Sequence, residues 1–325
     1  MTRPVSILLS ETAHDRYWAR IVDCAPQAEA VQLRRDGTRS GTTDRVEVAW
    51  VTTDVYPDLA GGFFGTAVRT PSLRWLQSAA AGFDNPVYAR LVDAGVRVTS
   101  AHVSSGPIAE LVVRAILDHA HDGPRWRAAQ AARAWSPARH GNVLGTTWTI
   151  VGFGSIGRAV ARVARALGAR VHGVRRHPSP DDPADEMFPL QRLHDAVTGA
   201  FAVVLVVPLD AGTAGLADEA LFGAMAPGSI LVNVGRGELV DEQALLRALD
   251  REAPEAAALD VFATEPLPPD HPFWDHPRVA ITPHVAGTTT GADDRLSELF
   301  VANLGGYLRG GPLAHEVRPT DLAVN

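Results

Sequence analysis

The sequence predicts an α/β fold built on doubly wound parallel sheets. Three observations predict it. Short apolar or β-branched runs alternate with helical segments along most of the chain, the pattern of strands covered by helices on both faces. A glycine-rich turn, Val151-Gly152-Phe153-Gly154-Ser155-Ile156-Gly157, joins one such run to a helix. An arginine, a glutamate and a histidine then follow successive later strands, on the edge where open parallel sheets bind ligands.

The first strands are Val5–Leu9, Val46–Val51, Leu73–Ser78 and Val96–Ser100. A helix follows from Pro107 to about His121, with Pro tolerated in its first turn and Ile108, Leu111, Val112, Ala115 and Ile116 at helical spacing. The Ala- and Arg-rich stretch from Trp126 to His140 reads as a helix and a surface connection. From there the strands are Thr147–Val151, Arg170–Val174, Ala202–Val207, Ile230–Val234, Ala256–Leu259 and Val279–Ile281. A last helix, from about Thr290 to Leu308, carries Leu296, Leu299, Phe300, Leu304 and Tyr307 on one side.

The chain has 325 residues, room for about two domains, and its 46% hydrophobic and 21% charged residues suit a globular core. A net charge of -7 argues against nucleic acid or an anionic membrane as partner, since both require a concentrated positive field. The single cysteine, Cys24, rules out a disulfide framework and a cysteine-based zinc site, and fits a reducing compartment. Val5–Leu9 is too short for a signal-peptide core or a membrane span, so a cytoplasmic location is expected. His271 and His276 each precede Pro, and His119 and His121 point to different helix faces, so no metal site is expected.

In the glycine turn, Gly152 permits the tight bend, Gly154 lets backbone approach a pyrophosphate and Gly157 lets helix and strand pack closely. N–H groups at Ser155, Ile156 and Gly157 open the helix and face an anion. Val160, Val163, Ala164 and Leu167 form the expected sheet-facing stripe, with Arg158, Arg162 and Arg165 opposite. The next strand ends at Val174 with no acid to bind a ribose 2′-hydroxyl; the next acid is Asp181. Arg175 and Arg176 stand there instead and suit a 2′-phosphate, so NADP(H) is expected over NAD(H).

Arg236, Glu265 and His284 supply the chemistry of hydride transfer at C2 of a 2-keto or 2-hydroxy acid. A planar guanidinium holds a carboxylate through two charge-assisted bonds, so Arg236 is the expected clamp. Ketone reduction needs a proton donor near neutral pH, the role expected of His284. Glu265 orients the imidazole and stabilises its protonated form.

These segments resemble the D-isomer-specific 2-hydroxyacid dehydrogenase family. The resemblance runs from about Val46 to Val317 and includes Ala80-Ala81-Gly82-Phe83-Asp84, Ala109-Glu110, Pro208-Leu209, the motif around Arg236, Pro283-His284 and Asn303-Leu304. It implies two Rossmann-like domains, with the substrate domain split in sequence. Residues 1–101 and 288–325 would form that domain, and residues 102–287 the dinucleotide-binding domain. The active site would be the cleft between them, with hinges near Ser100–Gly106 and Gly287–Thr290. The resemblance further implies that Ala81 and Gly82 help hold the substrate carboxylate. It places Pro208, Thr213, Val234, Asp260 and Gly287 with His284 at the cofactor, with Asp260 on the nicotinamide carboxamide. It implies a homodimer through the cofactor domain, with Trp135 at the interface.

The basic pair matches members resembling glyoxylate/hydroxypyruvate reductases, which tilts the expected direction toward reduction. The chain's end soon after the last helix suggests that no regulatory domain follows. The carboxylate at Glu265 argues against a formate dehydrogenase-like member, where an amide is found. Two alternatives stand beside this reading: a nucleotide-sensing, corepressor-like binding protein, and a same-fold dehydrogenase for another anion such as phosphite. The loops at Thr52–Tyr56, Ala79–Phe83 and Ser104–Gly106 are small or apolar and favour a small or apolar substituent at C2.

Overall fold

The computed structural model describes residues 3–80, 82 and 85–317. Backbone packing divides the chain into two units, Met1–Val103 with Thr290–Asn325, and Ser104–Thr289. Unit 1 begins with β1 (Val5–Ser10), α1 (Glu11–Cys24), β2 (Ala28–Leu33), β3 (Val46–Val51), α2 (Ala60–Val68), β4 (Trp75–Ser78), α3 (Val87–Asp93) and β5 (Arg97–Thr99). Unit 2 runs through α4 (Ser105–Ala120), α5 (Gly123–Ala131), β6 (Thr147–Val151), α6 (Ser155–Ala166), β7 (Arg170–Val174), β8 (Glu186–Phe188), α7 (Leu193–Val197), β9 (Ala202–Leu205), α8 (Glu219–Ala224), β10 (Ile230–Asn233), α9 (Glu242–Asp250), β11 (Ala256–Leu259) and β12 (Val279–Ile281). The last helix, α10 (Ala292–Leu308), belongs to unit 1.

Among the described residues, unit 1 holds a five-stranded sheet in the order β2-β1-β3-β4-β5, and unit 2 a seven-stranded sheet in the order β12-β11-β10-β9-β6-β7-β8. The pairings are parallel throughout. In unit 2 the strand order reverses between β6 and β9. Open parallel sheets commonly bind dinucleotides at the carboxyl edge where the strand order reverses in this way.

Helices α1, α2 and α3 and strands β2 and β8 escape the sequence pattern. Helix α1 buries only Ala13, Tyr17 and Ile21 among charged neighbours; Ser10 starts it by accepting the Ala13 N–H at 3.0 Å. Strand β2 lies at the edge of its sheet with much of its length part-exposed, and β8 is three residues long.

The stripe on α6 is also corrected. Val160 and Ala164 are wholly buried, but Val163 is 39% and Leu167 36% exposed. The buried face is made instead by Gly157, Ala159, Val160, Ala161 and Ala164, because α6 packs against both its sheet and the long helix α4, which small residues allow.

Helix α10 is held to the unit 1 sheet by aromatic stacking: the Phe300 ring lies 4.4 Å from that of Trp50 and 5.3 Å from that of Trp75. Near the end of the helix, Tyr307 donates to Glu47 on β3 at 2.5 Å, and Arg3 donates to the same carboxylate at 2.6 Å. The Arg3 guanidinium holds the Glu47 carboxyl below the usual carboxylate range, while burial pushes the Tyr307 hydroxyl up to about 12. A depressed carboxyl pKa adds stability above its unfolded value of about 4.3, and that stability is lost as pH falls through the lower folded value. Glu47→Gln is therefore expected to destabilise the protein by about 1 kcal/mol at neutral pH, and by progressively less below about pH 4. Urea unfolding at both pH values checks this.

Candidate active site

The glycine turn after β6 is locally determined. Gly152 has φ +103°, and a Cβ there would lie 2.7 Å from the Val206 carbonyl and the Val207 nitrogen. A Cβ on Gly157 would overlap the Gly152 carbonyl oxygen. A Cβ on Gly154 would meet nothing within 4 Å, so the backbone there is open to approach. Gly154 is also the residue before α6, whose first N–H groups have no side-chain cap. An uncapped helix start beside an open glycine fits a pyrophosphate.

Beyond β7 the structure adds what the sequence order hid. Arg175 is 3.3 Å from both carboxylate oxygens of Asp182, which also receives Arg158 and, at 3.0 Å, the Ser179 N–H. Arg176 is paired with Asp210, beyond β9. An acid thus does fold back onto the end of β7, seven positions after Arg175 in the chain. Asp210 also shapes its own turn: its N–H donates to the Thr213 hydroxyl at 2.8 Å, and that hydroxyl donates to the Pro208 carbonyl at 2.7 Å. Thr213 is buried, with its hydroxyl engaged in this turn.

The arginine loop is fixed by a buried amide. Asn233, the last residue of β10, donates from Nδ2 to the Arg236 carbonyl at 2.8 Å and accepts the Gly235 N–H at 3.0 Å. Between these contacts lies the backbone of Val234, itself buried. Gly237 presses against the Phe262 carbonyl so closely that any Cβ would overlap it. The loop after β10 is thereby locked to the loop after β11. The Arg236 Nη1 donates to the Gly235 carbonyl at 2.7 Å.

Asp260, 2% exposed, organises the histidine loop. Its Oδ1 accepts the Thr282 hydroxyl at 2.5 Å and the Val285 N–H at 3.0 Å; its Oδ2 accepts the Ala286 N–H at 2.9 Å. Its carbonyl accepts the His284 N–H at 2.8 Å. These bonds hold His284 at φ +52°, a left-handed conformation unusual for a residue with a Cβ. Gly287 follows, its carbonyl 3.4 Å from the Ser104 hydroxyl that donates to it. With the backbone so fixed, His284 Nδ1 meets Glu265 Oε2 at 2.7 Å, and Glu265 Oε1 accepts the Phe262 N–H at 3.0 Å. The carboxylate thus holds the ring through Nδ1 and fixes its orientation.

Unit 1 carries the residue pair expected to bind substrate. Gly82 is part-buried just beyond β4, while Ala81 lies outside the described residues. Close by in sequence, the Ser78 hydroxyl accepts the Ala80 N–H at 3.1 Å and bonds the Tyr88 hydroxyl at 2.7 Å, which bonds that of Tyr56 at 3.1 Å. These three hydroxyls form one hydrogen-bonded run beside the end of β4.

Asn233, Asp182, Asp210 and Arg158 were not legible as site residues. For Asn233 the signal was present, since an Asn two residues before a glycine commonly folds its own turn. Among the described residues, no cluster of His, Cys, Asp and Glu is grouped as for a metal ion, and no helix is long and apolar enough to cross a membrane.

A nucleotide-binding sheet with an acid–imidazole pair at its ligand edge is the architecture of a nicotinamide-dependent oxidoreductase, and the comparisons narrow that class. The family model for the D-isomer specific 2-hydroxyacid dehydrogenase NAD binding domain matches residues 113–286, and the chain belongs to that family. A glyoxylate/hydroxypyruvate reductase A of Serratia proteamaculans (strain 568) is 37% identical over 164 residues, 50% of this chain and 52% of that one. The chain thus matches about half the length of that curated relative. The crystal structure of a D-isomer specific 2-hydroxyacid dehydrogenase from Xanthobacter autotrophicus Py2, in complex with NADPH and MES, aligns with a TM-score of 0.82 at 27% identity, covering 98% of this chain and 99% of that one. The NADPH-dependent glyoxylate/hydroxypyruvate reductase of Sinorhizobium meliloti, in complex with NADP and sulfate, aligns with a TM-score of 0.79 at 25% identity over 98% and 99% of the two chains.

Proposed function

We propose that this protein reduces a small 2-keto acid of the glyoxylate or hydroxypyruvate type to the D-2-hydroxy acid, with NADPH preferred over NADH. The observation that carries the reading is the 2.7 Å bond between Glu265 and His284 Nδ1, at the ligand edge of a nucleotide-binding sheet. When bound, the reduced nicotinamide supplies the hydride. Glu265 holds the imidazole, and protonated His284 gives its Nε2 proton to the substrate oxygen as C2 is reduced. Arg236 holds the substrate carboxylate. Gly154 and the start of α6, at Ser155, Ile156 and Gly157, receive the pyrophosphate. Arg175 and Arg176 favour a 2′-phosphate, in line with the nucleotides bound to the Xanthobacter and Sinorhizobium proteins. In this reading Ser104–Thr289 serves the cofactor and the other unit the substrate.

Absorbance at the reduced-nicotinamide band, with a panel of 2-keto acids and each nucleotide, tests this. Turnover of glyoxylate or hydroxypyruvate with higher kcat/KM for NADPH is expected. Nucleotide binding without turnover of any acid would favour a binding protein instead.

We also propose a homodimer. Trp135 is 97% exposed and Leu144 73%, and with Val163 they leave apolar surface on unit 2 that a second copy would cover. Sedimentation is expected to give twice the 34.6 kDa chain mass; a monomer at micromolar concentration refutes it.

A further inference from the structure

Asp182 is a wholly buried carboxylate with no part in the reaction just proposed. Such a group persists only where cations and donors satisfy it. Its partners come from three segments: Arg158 near the start of α6, Arg175 at the end of β7, and the Ser179 N–H of its own loop. The helix opened by the glycine turn and the strand beside it are thus tied through one carboxylate. Both arginine side chains remain about one-third exposed, at 35% for Arg158 and 34% for Arg175. Each is held to the carboxylate while its side chain still reaches solvent. The next arginine, Arg176, is held by Asp210, whose side chain is 2% exposed. The three guanidiniums and two carboxylates leave one net positive charge at the end of β7.

This bears on nucleotide choice. An acid at this strand end can accept a bond from a ribose 2′-hydroxyl. Asp182 is engaged by two cations and closed to solvent, so it is not placed to do that. A guanidinium on a flexible stem must be ordered before it can grip a phosphate, whereas one already fixed by a carboxylate is pre-organised. We infer that Asp182 is a positioning residue that sets cofactor choice: it holds Arg158 and Arg175 together as a clamp for the 2′-phosphate of the adenosine ribose. Arg158 joins the cofactor-binding residues through it. The inference rests on the dinucleotide reading of the glycine turn, but not on hydride transfer.

Calorimetry on the full chain, with adenosine 2′,5′-bisphosphate and 5′-AMP as probes, separates the two. The pair differs only in the 2′-phosphate. The unaltered protein is expected to bind the bisphosphate about tenfold or more tightly than 5′-AMP, the scale of one charge-assisted contact. Asp182→Asn is expected to cut that ratio at least about fivefold while 5′-AMP affinity stays within about twofold, because a generally loosened fold would weaken both probes alike. Arg158→Gln, a change at a part-exposed side chain, is expected to act in the same direction and decides the matter alone if Asp182→Asn does not fold. An unchanged or increased ratio in either folded variant overturns the inference, as does an unaltered protein with no preference for the bisphosphate. A protein that keeps the preference yet reduces no keto acid would sink the proposed reaction and leave Asp182 its role.

Discussion

His284→Ala is expected to lower kcat by about 10²- to 10⁴-fold, the range for loss of a positioned general acid, with nucleotide affinity little changed. The imidazole is held by Glu265 through Nδ1, and the loop beneath it by Asp260 rather than by the histidine ring. Removing the ring therefore removes the proton donor without dismantling the loop. The backbone at His284 has φ +52°, which Asn tolerates better than Ala. His284→Asn is thus the better control for the fold and is expected to be as inactive. Steady-state kinetics with both variants, alongside nucleotide titration, checks this. Turnover within a few-fold of the unaltered enzyme would refute the acid–base role.

The second large effect is expected at Arg236. Two charge-assisted bonds of about 1.5–3 kcal/mol each put the loss of kcat/KM on Arg236→Ala at about 10²- to 10⁴-fold, much of it as a raised KM for the keto acid. The loop should survive the change. Its backbone is fixed by Asn233 on one side and by Gly237 against Phe262 on the other. Arg236→Lys should recover only part of the loss, because an ammonium is a point charge without the planar fork. Equal KM values for keto acid in the unaltered protein and Arg236→Ala would remove the clamp from the account.

The candidate site residues were legible because each lies on a turn with a strong local signature. The glycine turn, the Gly-Arg-Gly after β10 and the Pro-His after β12 each follow a short apolar strand, so strand spacing alone brought them to one sheet edge. What stayed hidden depends on contacts between segments. Asp182 lies seven positions beyond Arg175 and reaches it only because the loop before β8 folds back. The resemblance places Asp260 at the nicotinamide, but only the structure shows both of its oxygens bracing the histidine loop. Val163 and Leu167 fit the helical spacing, but spacing cannot say that α4 takes the place of the sheet along one side of α6. Helix α1 was missed for the opposite reason: its buried stripe is three residues among charges, too thin to read by period.

Hydride is proposed to pass from the reduced nicotinamide to C2 of a small keto acid. Incubation with NADPH carrying deuterium on C4, glyoxylate or hydroxypyruvate as acceptor, and mass spectrometry of the product tests it most directly. The product is expected to be a 2-hydroxy acid with one deuterium, located at C2 and not exchanged with solvent. Cofactor that remains unoxidised, or product whose C2 hydrogen comes from water, would contradict it.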